Sequence, residues 1–93
     1  MKVRWSETAL AEMDSIFSYV FEYSRSAAAA VVGRIEELTA LLGEFPLVGH
    51  LTDEADVRVL SVVRYPFMIF YTIDNAADEI VVLHVRHTAQ ERP

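Results

Sequence analysis

The chain ends in VLHVRHTAQERP, twelve residues that hold two of its three histidines and two of its eight Lys/Arg. His84 and Arg86 stand two apart, so on an extended strand they share one face and His87 falls on the other. Arg58 and Arg64 share a face of an earlier alternating stretch by the same parity. If the two faces coincide, one histidine stands beside three guanidinium groups. That set suits cleavage of RNA by its own 2′-hydroxyl. Such a reaction needs one group to take a proton, another to protonate the leaving oxygen, and cations to stabilise the charged phosphorane. A histidine can exchange protons near neutral pH. The same residues, with Arg92 behind them, serve equally as a polar docking surface for a target or for a partner's carboxylates.

Charge favours docking over catalysis. Fourteen Asp/Glu against eight Lys/Arg give a net charge of −6, and the single lysine is Lys2. An acidic chain is poorly suited to grip a polyanion through its phosphates, so direct binding of free nucleic acid is not expected. The imbalance is uneven: residues 1–56 carry ten acids and four bases, residues 57–93 four of each. Tyr65, Phe67, Phe70 and Tyr71 have few basic neighbours, so they read as a packed strand rather than a base-stacking platform.

The remaining candidates read as structural. His87 shares strand parity with Val81, Leu83 and Val85, which makes it a hydrogen-bonded residue on the core side. His84 and His87 are three apart, a spacing that joins two metal ligands on a helix but separates them on a strand. His50 with Asp53, Glu54 and Asp56 reads as a solvated loop before a strand. Neither a metal nor any other cofactor is expected. Cysteine is absent, which excludes disulfides and fits a reducing cytoplasm. The longest apolar runs, such as Ala27–Val32 and Phe67–Tyr71, fall far short of the roughly 20 residues that span a bilayer, so no membrane association is expected.

The elements that position these residues follow from periodicity. Residues 2–5 form a short strand. Ser6 is a helix N-cap, with Trp5 and Leu10 at the two positions of a hydrophobic staple. Leu10, Met13, Phe17 and Val20 recur at spacings of three and four, widened by Ile16 and Phe21, and predict a helix from Glu7 to Tyr23. Ser26 caps a second helix with a stripe of Val31, Ile35, Leu38 and Leu42, which Pro46 ends near Phe45. From Val57 the period becomes two. Val57, Val59, Ser61 and Val63 share one face of a strand, and Arg58, Leu60, Val62 and Arg64 the other. Phe67–Ile73 is apolar on both faces, a polar turn occupies 74–79, and Ile80–His87 is the last strand. The fold class is α+β in the order β-α-α-β-β-β. A helical hairpin packs on one face of a mainly antiparallel four-stranded sheet, as a single domain over residues 1–93. With 53% hydrophobic residues, so small a chain has more apolar material than its core can hide, and the bare face calls for a partner.

Four stretches in this order resemble the RelE/ParE superfamily, the toxins of bacterial type II toxin–antitoxin pairs. These are ALAEMDSIFSYV with Glu12, Met13, Ile16 and Tyr19; LLGEFPLVGH with Pro46 and Gly49; VRVLSVVRYPFMIFYTID; and IVVLHVRHTAQERP. The Pro46/Gly49 segment and His87 look closer to ParE-like members, and Pro46 and Gly49 join Trp5, with its staple, and His87, with its strand parity, as structural positions. It implies a ParE-like, non-catalytic inhibitor of DNA gyrase in the cytoplasm. The cognate antitoxin, ParD-like or other, would carry a disordered tail that folds on binding. The alternative it allows is a RelE-like, ribosome-dependent messenger endoribonuclease using Arg58, Arg64, His84 and Arg86. ParE-like ends usually continue from the His to an Arg, whereas this chain reads Thr88-Ala89-Gln90-Glu91, so a non-toxic interaction module of the same fold also stays open.

Overall fold

The computed structural model describes residues 1–91. Strand β1 (Lys2–Trp5) leads into helix α1 (Glu7–Phe21) and helix α2 (Arg25–Glu44), followed by β2 (His50–Leu51), β3 (Val57–Val62), β4 (Phe67–Asp74) and β5 (Glu79–His87). A 3₁₀ turn covers Thr88–Glu91. The sheet has five strands in the order β1-β5-β4-β3-β2, with β1 parallel to β5 and every other pair antiparallel. The four-stranded expectation is thus corrected by one. Two residues, His50 and Leu51, are too few to show an alternating pattern, yet they pair with Val59 and Arg58.

Capping fixes where the helices begin. The Ser6 hydroxyl accepts from Ala9 N–H at 3.0 Å and donates to Leu83 O at 3.0 Å, so one side chain starts α1 and ties it to β5. The second cap is Ser24 rather than Ser26: the Ser24 hydroxyl accepts from Ala27 N–H at 3.1 Å. Because α1 ends at Phe21 rather than Tyr23 and α2 begins at Arg25, the link between the helices keeps its expected length but lies two positions earlier. Pro46 follows the end of α2, where Phe45 N–H still bonds Leu41 O at 2.8 Å.

The core lies between α2 and the sheet. Val31, Ile35, Leu38 and Leu42 meet Val62, Phe67, Ile69, Tyr71, Ile80, Val82 and Val85, with Ala9 from α1. Helix α1 sits further out. Met13 and Ile16 pack against the core, whereas Phe17, Phe21 and Leu10 are exposed, Leu10 by 55%. The staple and stripe expected of α1 are narrower than the periodicity suggested because this helix rests at the sheet's margin. The first strand ends at Trp5, and from there α1 takes over the edge of β5: Ser6 N–H bonds Val82 O at 2.9 Å.

One irregularity decides which residues share a face. Phe70 pairs with His84 but Tyr71 with Val82, so Leu83 is an extra, unpaired residue in β5. Beyond it, Val85 and His87 lie opposite Ile69 and Phe67 on the helix side. Before it, that side is held by Ile80 and Val82 opposite Ile73 and Tyr71. Grouping Val81 and Leu83 with Val85 and His87 is therefore corrected: Val81 lies opposite Thr72 on the other face. Parity counting fails at a bulge because it advances the chain by one residue without changing the partner strand.

Candidate functional site

The margin of β5 beyond the end of β1 has backbone groups with no strand beside them. A side chain fills the place. The Oε1 atom of Glu12, from α1, accepts the Val85 backbone N–H at 3.1 Å and lies 3.2 Å from His84 Nδ1, which donates in the tautomer protonated there. Its other oxygen lies 3.7 Å from Arg86 Nε, an ion-pair distance. One carboxylate thus gathers a backbone amide, an imidazole and a guanidinium, all half-buried.

Arg86 also lies across two rings. Its Nη2 is 3.3 and 3.4 Å from the two nitrogens of His84. An in-plane donor equidistant from both would collide with Cε1 between them, so the guanidinium stands over the imidazole face. Its Cζ is 5.9 Å from the Phe70 centroid, within cation–π range. The bulge makes this possible by bringing His84, Arg86 and Phe70 to the uncovered face together.

The other candidate cations are elsewhere. Arg58 lies opposite Tyr71 on the helix side, and its Nη1 donates to Gly49 O at 2.8 Å and Leu47 O at 3.3 Å. It holds the segment between α2 and β2. Arg64 sits past the end of β3 in the turn before β4, exposed and with φ of +76°, a left-handed conformation that is uncommon for a side chain of its size. Arg92 lies outside the described residues. The four-residue set suggested by strand parity is therefore two residues, His84 and Arg86, joined by Glu12. Strand parity had no access to Glu12, which is 72 positions from His84; the family-like pattern in α1 was the only signal for it.

The residues read as structural have these places. His87 lies on the helix side of the sheet as expected but is exposed at the strand's end rather than buried in the core; its ring meets Phe67 edge-on with centroids 5.4 Å apart, and its Nδ1 accepts from Ala89 N–H at 3.1 Å. Trp5 is half-buried against the core. The Tyr71 hydroxyl, fully buried, donates to Pro46 O at 2.7 Å and accepts from Gly49 N–H at 2.9 Å. Gly49 is required by this closeness and not by its dihedrals, because a Cβ there would fall 2.6 Å from the tyrosine oxygen. Tyr71 and Arg58 together clamp the Pro46–Gly49 segment. Among the described residues no three His, Asp or Glu side chains are placed to share a metal ion, and no helix is long and apolar enough to cross a membrane.

A family model for the ParE toxin of the type II toxin–antitoxin system parDE matches residues 3–92. The chain belongs to the ParE toxin family. Toxin RelE2 of Caulobacter vibrioides is 33% identical to this ParE-family toxin over 90 residues, which cover 96% of this chain and 97% of the relative. The Y4kP protein of Sinorhizobium fredii is 32% identical over 92 residues, 99% of this chain and 93% of that one. Among solved structures, the chromosomal ParDE toxin–antitoxin system from P. aeruginosa aligns with a TM-score of 0.81 at 26% identity, covering 94% of this toxin and 95% of that chain. The isolated E. coli RelE toxin aligns with a TM-score of 0.68 at 17% identity, over 99% of this chain and 86% of that one, a likeness of fold alone. The toxin is thus a type II toxin of the ParE/RelE fold, two helices against a mixed five-stranded sheet.

Proposed function

We propose that this toxin acts by binding rather than by catalysis: as a single cytoplasmic domain it inhibits DNA gyrase, and a cognate ParD-like antitoxin neutralises it. The observation that carries this reading is the carboxylate of Glu12. A metal-independent ribonuclease needs its cations turned toward a phosphate and a histidine ready to move a proton. Here His84 Nδ1 and the Arg86 guanidinium are already committed to one internal carboxylate, and Arg58 points to the opposite side of the sheet. Such an arrangement supports a fixed recognition surface, in which Arg86 and Phe70 present a flat, partly desolvated cation. Residues of this kind recur as interface anchors. The match to ParE over nearly the whole length, and the high structural similarity to a ParDE chain, support the same choice between the two known activities.

Induced expression with two readouts tests it. A gyrase inhibitor gives filamented cells and cleaved plasmid DNA while translation continues at first. Transcripts cut at codon positions with early arrest of translation would establish the RelE-like ribonuclease instead, and no growth defect at all would leave the interaction module. In the His84→Ala/Arg86→Ala double variant, we expect inhibitory potency to fall at least about tenfold, the loss of a little over 1 kcal/mol of contact energy.

A further inference from the structure

The uncovered face of the sheet has a trough between Arg86 of β5 and the segment 52–56 that precedes β3. Its floor is apolar: Val57 is buried, and Phe70 and Leu83 are half-buried. Its far bank carries Asp53 and Glu54, both exposed. That bank is preformed. The Thr52 hydroxyl lies 3.0 Å from Val57 O and accepts Glu54 N–H at 3.2 Å, while the Thr72 hydroxyl donates to Asp56 O at 2.7 Å. Rigid presentation matters, because acids already fixed in place lose little freedom when a partner arrives.

The charges on the two banks are not equivalent. Arg86 is matched by Glu12 across 3.7 Å, and the positive end of α1 nearby is capped by Ser6 and fronted by Glu7. Neither Asp53 nor Glu54 enters an ion pair among the described residues. The trough therefore presents two unmatched negative charges over an apolar floor, in a chain whose net charge is −6. A partner segment rich in Asp or Glu would meet like charges there, whereas Lys or Arg would relieve them.

We propose that this trough receives a basic, amphipathic stretch of the antitoxin, with apolar side chains on Phe70 and Leu83 and Lys or Arg against Asp53 and Glu54. The proposal rests on the toxin–antitoxin reading above and names the chemistry of the partner. The probe is the polypeptide encoded by the small reading frame next to the toxin gene, titrated against the full-length chain at 50 and 200 mM salt. With Asp53→Lys/Glu54→Lys we expect affinity to fall at least about tenfold and the salt dependence to flatten. Asp53→Asn/Glu54→Gln should lose about half of that effect on a logarithmic scale. Thermal melting checks that each variant is folded. Glu36→Lys/Glu37→Lys, an equal charge change at two exposed positions of α2 away from its C-terminal end, should stay within about twofold. Unchanged or tighter binding by Asp53→Lys/Glu54→Lys, or an equal loss in the α2 control, would overturn the trough as the basic partner's seat while leaving the toxin–antitoxin reading intact. If the polypeptide does not bind the native chain at all, that reading falls and the trough proposal falls with it.

Discussion

Glu12 does the work of a missing strand. Without it the Val85 amide at the sheet margin has no partner, and His84 and Arg86 lose the group that orients them. A half-buried donor left unpaired costs about 1–3 kcal/mol. In a domain of this size, Glu12→Ala should therefore lower Tm on the order of 10 °C. Glu12→Gln keeps an oxygen for Val85 and should lose less than half as much stability, with inhibition of growth weakened in both. Equal melting of the two variants would show that the charge and not the backbone bond dominates. Tyr71 makes a second residue-level test. Tyr71→Phe removes the hydroxyl's two bonds to the Pro46–Gly49 segment and leaves those of Arg58, and Gly49→Ala drives a methyl group into the same hydroxyl. Each should cost about 1–3 kcal/mol in urea denaturation, and the double variant should cost less than their sum because both act on one contact.

At the scale of elements, the helical hairpin depends on which serine caps α2. Ser24 holds the Ala27 amide, while the Ser26 hydroxyl stands 3.2 Å from that of Ser24 without capping the helix. Ser24→Ala should lower stability by about 1 kcal/mol and Ser26→Ala by a few tenths, read from chemical denaturation curves. The sequence reading placed the cap at Ser26, which instead lies inside the first turn of α2. The earlier cap goes with an earlier end to α1, at Phe21, so the whole turn between the helices is displaced toward the N-terminus. The bulge at Leu83 is a second element-level decision. It turns His84 and Arg86 to the open face while Val85 stays inward, and it leaves Leu83 at the trough.

Across the whole molecule, apolar surface is left over. Phe45, Leu47, Val48 and Leu51 cluster where α2 ends and β2 forms the free edge of the sheet, with Leu47 67% and Leu51 71% exposed. A free strand edge flanked by exposed apolar groups invites association. The isolated toxin should show concentration-dependent self-association in sedimentation velocity, and Leu47→Lys/Leu51→Lys should reduce it with Tm shifted by no more than about 3 °C, since exposed positions contribute little to stability. A partner covering both this edge and the trough would have to be extended, a shape suited to a chain that folds as it binds.

Local patterns in the sequence determined the two helices, the three long strands, the mainly antiparallel sheet and the family, because periodicity, caps and proline act within a few residues of one another. Arg58, Leu60 and Val62 do share a face, as their parity requires, but the strand ends before Arg64 can join them. Tertiary structure alone decided the rest: that β1 lies parallel to β5 at the margin, that a bulge reverses parity ahead of His84, and that Glu12 crosses 72 positions to close the site. Contacts so distant along the chain leave no local spacing to read, and a single inserted residue cannot be distinguished by period from a strand that runs true.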